Sequence, residues 1–188
     1  MKREDVTPEI LRELLHYEPE TGSFIWKRRD RKWFKSDRSF GWWNKRYAGK
    51  VTADRPNKYG YKVVTLLDFK FHASRVAYAH HHGHWPEHSI DHVNGVTTDD
   101  RISNLRDVDN LTNQQNLPIS KLNKSGVMGV FWHKSNKKWR ATIRVNKKQI
   151  NLGAYDDFDE AVSVRREAER KYGFHPNHGR PTPSKGGV

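Results

Sequence analysis

The stretch Asp91-His92-Val93-Asn94-Gly95, followed by Asn104-Leu105-Arg106 and Asn113-Gln114-Gln115-Asn116, gathers an acid, an imidazole and several amides into one short segment. This is the inventory of a metal-assisted phosphodiester hydrolase, which needs an activated water, a Lewis acid and a clamp on phosphate. A neutral imidazole titrates near neutrality, so His92 is the candidate general base. Asp91 is the candidate carboxylate ligand of a hard divalent cation. Strand neighbours point to opposite faces, so the two serve one site only if the backbone bends, which the Asn94-Gly95 turn permits. A helix starting near Asp109 would set Asn113 and Asn116 on one face at i and i+3, where an amide oxygen can complete a metal shell. Asn104 falls in the loop between. Taken singly, each residue also reads as a cap, a turn former or an ordinary polar residue; the ordered set points to chemistry.

Working back from this segment, Tyr61 to Leu67 and Phe69-Lys70-Phe71 read as a hairpin turning near Asp68, and Ala73 to His80 as a short helix carrying Arg75. His80-His81-His82-Gly83-His84, with His88 nearby, invites a metal-site reading. Consecutive residues leaving a helix do not converge on one ion, so we do not assign one there. Further back, Pro8 opens a helix with Ile10, Leu11, Leu14 and Leu15 at helical spacing, and Gly22 turns the chain into a strand over Ser23–Lys27. Between Lys27 and Lys50, Arg28, Arg29, Arg31, Lys32, Lys35, Arg38, Lys45 and Arg46 interleave with Trp33, Phe34, Phe40, Trp42, Trp43 and Tyr47. Two readings stay open: a nucleic-acid surface in which cations meet phosphates and rings stack, or a loop whose Trp residues pack inward under solvated charges.

Working forward, Leu117 to Gly126 reads as a linker. Strand signals follow at Gly129–His133, Lys138–Val145 and Gln149–Tyr155, and then a helix with Phe158, Ala161, Val162, Ala168 and Tyr172 on its apolar stripe, capped by Asp156 or Asp157 and closed by Gly173. Alternation puts Ala141, Ile143 and Val145 on one face of the middle strand and Arg140, Thr142 and Arg144 on the other, where Gln149 and Asn151 can join them. A polar sheet face of that size can enter a major groove, with Arg140 and Arg144 the leading contacts. Trp132 and Trp139 read as packing residues, and the Pro- and Gly-rich tail from Pro176 as disordered.

Of the 188 residues, 35 are Lys or Arg and 22 Asp or Glu, a formal charge of +13, so the expected partner is a polyanion. A hydrophobic content of 34% and a mean hydropathy of −1.01 argue against one large interior. Seven Trp, seven Tyr and eight Phe favour small sheets pinned by aromatics. With no Cys, disulfides and thiolate zinc sites are excluded, and any metal is held by oxygen or imidazole. No apolar run approaches the roughly 18 residues of a membrane span and no signal segment opens the chain, so the expectation is a soluble, cytoplasmic protein with no membrane partner.

The segment from His72 to Asn116 resembles the HNH endonuclease family, in its phage and intron-encoded branch, through Asp91-His92-Val93-Asn94-Gly95, Asp100-Arg101, Asn104-Leu105-Arg106 and Asn113-Gln114-Gln115-Asn116. The resemblance implies a ββα-metal unit with His92 as general base, Asp91 and Asn113 on one divalent metal, and Asn104 tying the loop by hydrogen bonds. An amide in the last ligand position favours Mg²⁺ or Mn²⁺ over zinc. Ser74-Arg75 stands where that branch commonly shows His-Arg, which weakens Arg75 as a phosphate contact; Asn116 and Arg101 are further candidates near the site. Residues from Ser125 to Phe174 resemble the AP2 DNA-binding domain through Gly129-Val130, Trp139 to Arg144, Leu152-Gly153-Ala154-Tyr155 and the helix after Asp159-Glu160-Ala161.

The expected architecture is α+β, with a β-rich, basic and aromatic DNA-contacting region over 1–71 that includes Arg28, Arg29, Lys45 and Arg46. A catalytic unit over 72–117, a linker over 118–125, an AP2-like module over 126–175 and a tail over 176–188 complete it. The resemblance implies a phage-encoded, homing-type enzyme that nicks or cuts double-stranded DNA in the bacterial host. No protein partner is implied, and the active form would be a monomer or a dimer. A DNA-binding regulator with an inactive HNH unit is the alternative, and a structured-RNA binder a third reading.

Overall fold

In the computed structural model, which describes residues 2–109, 117–120 and 122–181, helix α1 (Pro8–Leu14) starts on Pro8, where a missing N–H costs nothing. The chain divides into two compact units, Met1–Val108 and Asp109–Val188. The architecture is mixed α+β, with small antiparallel sheets and four helices among the described residues.

In the first unit, α1 runs directly into β1 (Leu15–Glu18), which pairs with β2 (Ser23–Trp26), and β2 pairs with β3 (Val51–Thr52) in a three-stranded antiparallel sheet. Helix α2 (Asp37–Tyr47) follows β2. Ser36 caps it by accepting from the Ser39 N–H, and Asp37 supplies an acid to its first turn. The basic, aromatic stretch is therefore helical in its second half, and residues 1–71 form a mixed region rather than a β-rich one. Phe40, Trp43, Asn44 and Tyr47 recur at helical spacing on the inner side. The Asn44 side chain accepts from the Arg29 N–H at 2.9 Å and donates to the Arg29 carbonyl at 3.1 Å, fastening the helix to the segment after β2.

Strands β4 (Val63–Leu66) and β5 (Phe69–His72) form a hairpin whose turn residues Leu67 and Asp68 both have positive φ, the geometry of a tight two-residue connection. Helix α3 (Ala73–His82) begins at once and ends on Gly83 in the left-handed region. It lays Val76, Ala77 and Ala79 onto the same core as Leu11, Leu14 and Phe24. That core runs from Val6 to Leu105, across position 71. Each fully buried Leu in it contributes about 2 kcal/mol. Strands β6 (Ser89–His92) and β7 (Leu105–Val108) then pair antiparallel, Asp91 opposite Arg106 and His92 opposite Leu105.

The second unit contains β8 (Val130–His133), β9 (Lys138–Val145) and β10 (Lys148–Tyr155), ordered β10-β9-β8, and helix α4 (Phe158–Lys171), which Asp157 caps by accepting from the Glu160 N–H at 2.8 Å. Val130, Ala141 and Ala161 form its buried centre, with Trp139 and Phe158 packed against it. The linker and tail meet here: Gly179 N–H donates to the Leu117 carbonyl and Ile119 N–H to the Arg180 carbonyl. His178 is buried and residues 176–181 are tied down, because their backbone groups find partners in the linker; the rest of the tail expected to be disordered, 182–188, lies outside the described residues. No described helix is long and apolar enough to cross a membrane.

Candidate active site

The β6–β7 pair carries the chemistry at its end. Asp91 and Arg106 face each other in register, and the Arg106 guanidinium donates to Asp91 Oδ2 from Nε at 3.0 Å and from Nη2 at 2.7 Å. The carboxylate is buried and paired with that cation. His92 ends the strand, only 4% exposed. Its Nε2 lies 3.2 Å from Oδ1 of Asp100, itself 1% exposed, and its ring is 6.4 Å from that of Tyr61. Across this contact the ring can donate from Nε2 to the carboxylate oxygen. Adjacent in sequence, the acid and the imidazole thus turn to different neighbours, as strand alternation requires.

Between the strands the chain makes a loop that hydrogen bonds close at both ends. Asn104, buried at the end of a 3-10 turn (Ile102–Asn104), accepts the Asn94 N–H on Oδ1 at 2.9 Å and donates from Nδ2 to the Asp99 carbonyl at 2.8 Å. Its own carbonyl accepts the Val93 N–H. Asn94 Nδ2 donates to Asp99 Oδ2 at 2.7 Å, and Arg101 grips both Asp99 oxygens at 2.8 and 2.6 Å. These bonds, those from Arg101 foremost, hold the Asp99 carboxyl down to about 2.

The loop is also anchored from the amino-terminal sheet. The Tyr17 hydroxyl on β1 donates to the Asp100 carbonyl at 2.7 Å, and the Ile102 N–H to the Pro19 carbonyl at 3.1 Å. Burial, then the neighbouring Asp100, pushes the Tyr17 hydroxyl well up, so it stays a donor at any working pH. Gly22 packs against the Asp100–Arg101 peptide so closely that a Cβ there would stand 2.5 Å from the Asp100 carbonyl carbon.

Residues 71–116, which contain the β6–β7 pair and the loop between its strands, match the model of the HNH endonuclease family. Protein 3.8 of Escherichia phage T7 is 31% identical over 84 residues, covering 45% of this chain and 69% of that protein. The chain belongs to that phage protein's family and carries an HNH domain. No solved structure matches the chain.

Within the HNH domain, Asn113 and Asn116 lie outside the described residues. Asp91, His92 and Asn104 sit together around the β6–β7 turn. Arg75 does not join them: it donates from Nη1 to the His88 carbonyl at 2.5 Å and from Nη2 to the Pro86 carbonyl at 2.9 Å, bracing the segment that leads into β6. Arg101 is engaged with Asp99, half of its side chain remaining open to solvent. The residue that sequence reasoning passes over is Asp100. Its place in the Asp100-Arg101 pair is legible, but its contact with His92 depends on the loop's closure. No group of three or more His, Cys, Asp or Glu among the described residues is arranged to hold a metal, the histidines of α3 included.

Outside the HNH domain, the basic residues separate by exposure. Arg29 is buried, 8% exposed, its guanidinium 3.8 Å from the ring centre of Trp43 and 4.7 Å from that of Trp26; burial pulls it down to about 10. It is an internal cation rather than a DNA contact, because the two indole faces enclose it. Arg28, Lys45 and Arg46 are exposed. In the second unit the solvent face of the sheet presents Arg140 beside Phe131, Thr142 opposite Asn151 and Arg144 opposite Gln149, while Ala141 and Ile143 are buried. Trp139 packs into the core as its pattern suggests, whereas Trp132 lies edge-on against it at 5.3 Å and stays nearly half exposed.

Proposed function

We propose that this chain is a metal-dependent DNA endonuclease of the HNH class, site-specific in the manner of homing enzymes. The observation that supports it most is the joint placement of Asp91 and His92 at the end of β6, each buried against its own partner, beside a loop that Asn104 closes. In this reading His92 takes the proton of a water in line with the scissile phosphate, its ring held by Asp100. Arg106 fixes the direction of the Asp91 carboxylate.

The donor chemistry fits a hard cation: the carboxylate of Asp91 and the amide of Asn113 offer oxygen, and the chain has no thiol. Mg²⁺ or Mn²⁺ is the metal we assign, and these two residues would hold it. When bound, the ion supplies charge stabilisation to the leaving 3′ oxygen. Duplex DNA is the proposed substrate, oriented by the basic surface of the first unit and by the three-stranded sheet of the second, which we read as an AP2-like module using Arg140, Thr142, Arg144, Gln149 and Asn151. Two DNA-binding surfaces on one chain raise affinity through effective concentration.

The test is incubation of the purified chain and its His92→Ala variant with supercoiled plasmid and phage genomic DNA in Mg²⁺, with EDTA controls. Open-circular or linear product from the wild type alone is the expected result. Binding of both proteins without any cleavage would overturn it in favour of a DNA-binding regulator.

A further inference from the structure

Between Lys27 and Lys50 the chain has ten Lys and Arg against only Asp30 and Asp37, so these 24 residues carry well over half of its net charge. Helix α2 sorts the second half of that stretch into two faces. Phe40, Trp43 and Tyr47 are half-buried and Asn44 is buried, while Arg38, Gly41, Trp42, Lys45 and Arg46 are exposed on the opposite side. The spacing 38, 41, 42, 45 is one helical stripe.

Nothing inside the first unit accounts for this outer stripe. Asp37 is paired with Arg31, and among the described residues no carboxylate lies within ion-pair distance of Arg38, Lys45 or Arg46. Trp42 is 55% exposed, a large apolar surface left in water, and the Arg46 guanidinium stands 5.3 Å from its ring centre. Helix interiors disfavour glycine by about 1 kcal/mol relative to alanine, yet Gly41 sits in the middle of the stripe with nothing within 4 Å of where its Cβ would be. A glycine beside an exposed Trp, between cations, leaves the helix backbone open to close approach.

We infer that the outer face of α2 is a duplex-DNA docking surface, with Arg38, Lys45 and Arg46 on phosphates and Trp42 in the groove between them. The inference rests on DNA being the substrate, and goes beyond it by assigning the face and the role of each side chain. The dimensions suit the partner: Arg38 and Arg46 are eight residues apart, about 12 Å along a helix, and a major groove is about 12 Å wide. Cations at the two ends of the stripe reach opposite phosphate rows while the indole between them meets base edges and sugars. Duplex DNA is favoured over a protein partner because the charge is unrelieved, and over a single strand because the cations are spread to a groove's width rather than threaded along one backbone.

The experiment measures binding of the full chain to a labelled duplex in EDTA across a salt series, alongside cleavage in Mg²⁺. Arg38→Gln/Arg46→Gln should reduce the slope of log affinity against log salt by about 2, close to 0.9 for each phosphate left without its cation. Trp42→Ala should weaken binding about tenfold and leave that slope unchanged. All these side chains are exposed, and circular dichroism verifies that each variant keeps its helices. Wild-type affinity and slope in both variants, while the wild-type chain binds and cuts, would overturn the docking face and leave the nuclease reading intact. Weaker binding by the variants to single strands but not to duplex would overturn the choice of duplex. Absence of duplex binding by the wild type would overturn the docking face together with the reading it rests on.

Discussion

Nε2 of His92 stands 3.2 Å from Oδ1 of Asp100, and both side chains are shut off from solvent. Oδ2 of Asp100 has no hydrogen-bond partner among the described residues, so the imidazole is the polar group that answers this buried carboxylate. A carboxylate behind a catalytic imidazole fixes ring orientation and tautomer. Asp100→Asn keeps the volume but can offer an N–H where only an acceptor suits the ring. Cleavage should fall about tenfold to hundredfold, the range typical of partners that orient a reacting group, with duplex affinity unchanged. Single-turnover cleavage and fluorescence anisotropy on the same duplex measure the two separately. Cleavage at the wild-type rate would reduce Asp100 to a packing residue.

The amino-terminal sheet should matter to catalysis although it carries none of the reacting groups. Gly22 has φ +70°, and a Cβ there would stand 2.5 Å from the Asp100 carbonyl carbon and 2.6 Å from the Arg101 nitrogen. Both are backbone atoms, so the loop itself must move. Gly49 offers the control, with φ +80° and nothing within 4 Å. Gly49→Ala should show only the conformational cost of about 1 kcal/mol. Gly22→Ala should lose more stability than that and lose cleavage too, because Asp100 is displaced. Thermal melts and cleavage rates for the pair decide it; equal effects in the two variants would mean the loop tolerates the added methyl group.

Acid stability should report on the Asp99–Arg101 contact. The folded carboxyl of Asp99 lies at about 2, below its ordinary 3.8, with hydrogen bonding from Arg101 the main cause. A depressed carboxylate stabilises the fold above its unfolded value, and that contribution disappears as pH falls from about 4 towards 2. Arg101→Ala removes the main cause, so the variant has less of this stabilisation near neutrality and should unfold at a higher pH on acidification. Tryptophan fluorescence against pH checks the direction; an unchanged midpoint would show that the pair adds nothing to stability.

The parts of this fold that are legible in sequence are those set by local patterning. The Leu67-Asp68 turn, helix α3, the three strands of the second unit and α4 with its Asp157 cap follow from alternation, helical spacing and turn residues. Helix α2 escapes such reading because its apolar face is built from Phe40, Trp43, Asn44 and Tyr47 amid cations and a glycine, a composition that resembles a loop. The Ser36 cap and the i, i+3, i+4, i+7 spacing are the signals that mark it. At the site, residue types and order mark out Asp91, His92 and Asn104, but not which neighbour each meets. Tyr17 reaches Asp100 across 83 residues, and no periodicity encodes such a contact. Charge makes Arg29 a candidate DNA contact and the family resemblance makes Arg75 one; the structure sets Arg29 between two indoles and Arg75 on backbone carbonyls, which neither charge nor motif reveals.

The sheet of the second unit should divide DNA affinity between two arginines in different ways. Arg140 sits mid-strand, half-buried, flanked across the ladder by Phe131 and Ala154, with its Nε shielded from solvent. A side chain half-packed along the ladder in this way suits a base contact, where one bidentate pair discriminates by about 1–3 kcal/mol. Arg144 is exposed near the β9–β10 turn, opposite Gln149, and among the described residues only a 3.4 Å contact to the Lys147 carbonyl restrains it. A loosely held cation at a sheet end suits a phosphate. Arg140→Gln should therefore weaken the preferred duplex about tenfold and leave random-sequence duplex unchanged. Arg144→Gln should weaken both alike and lower the salt slope by about 1. Competition binding against random-sequence DNA at two salt concentrations separates these patterns. If Arg140→Gln weakens both duplexes equally, that side chain reads phosphate, and sequence preference must arise elsewhere on the chain.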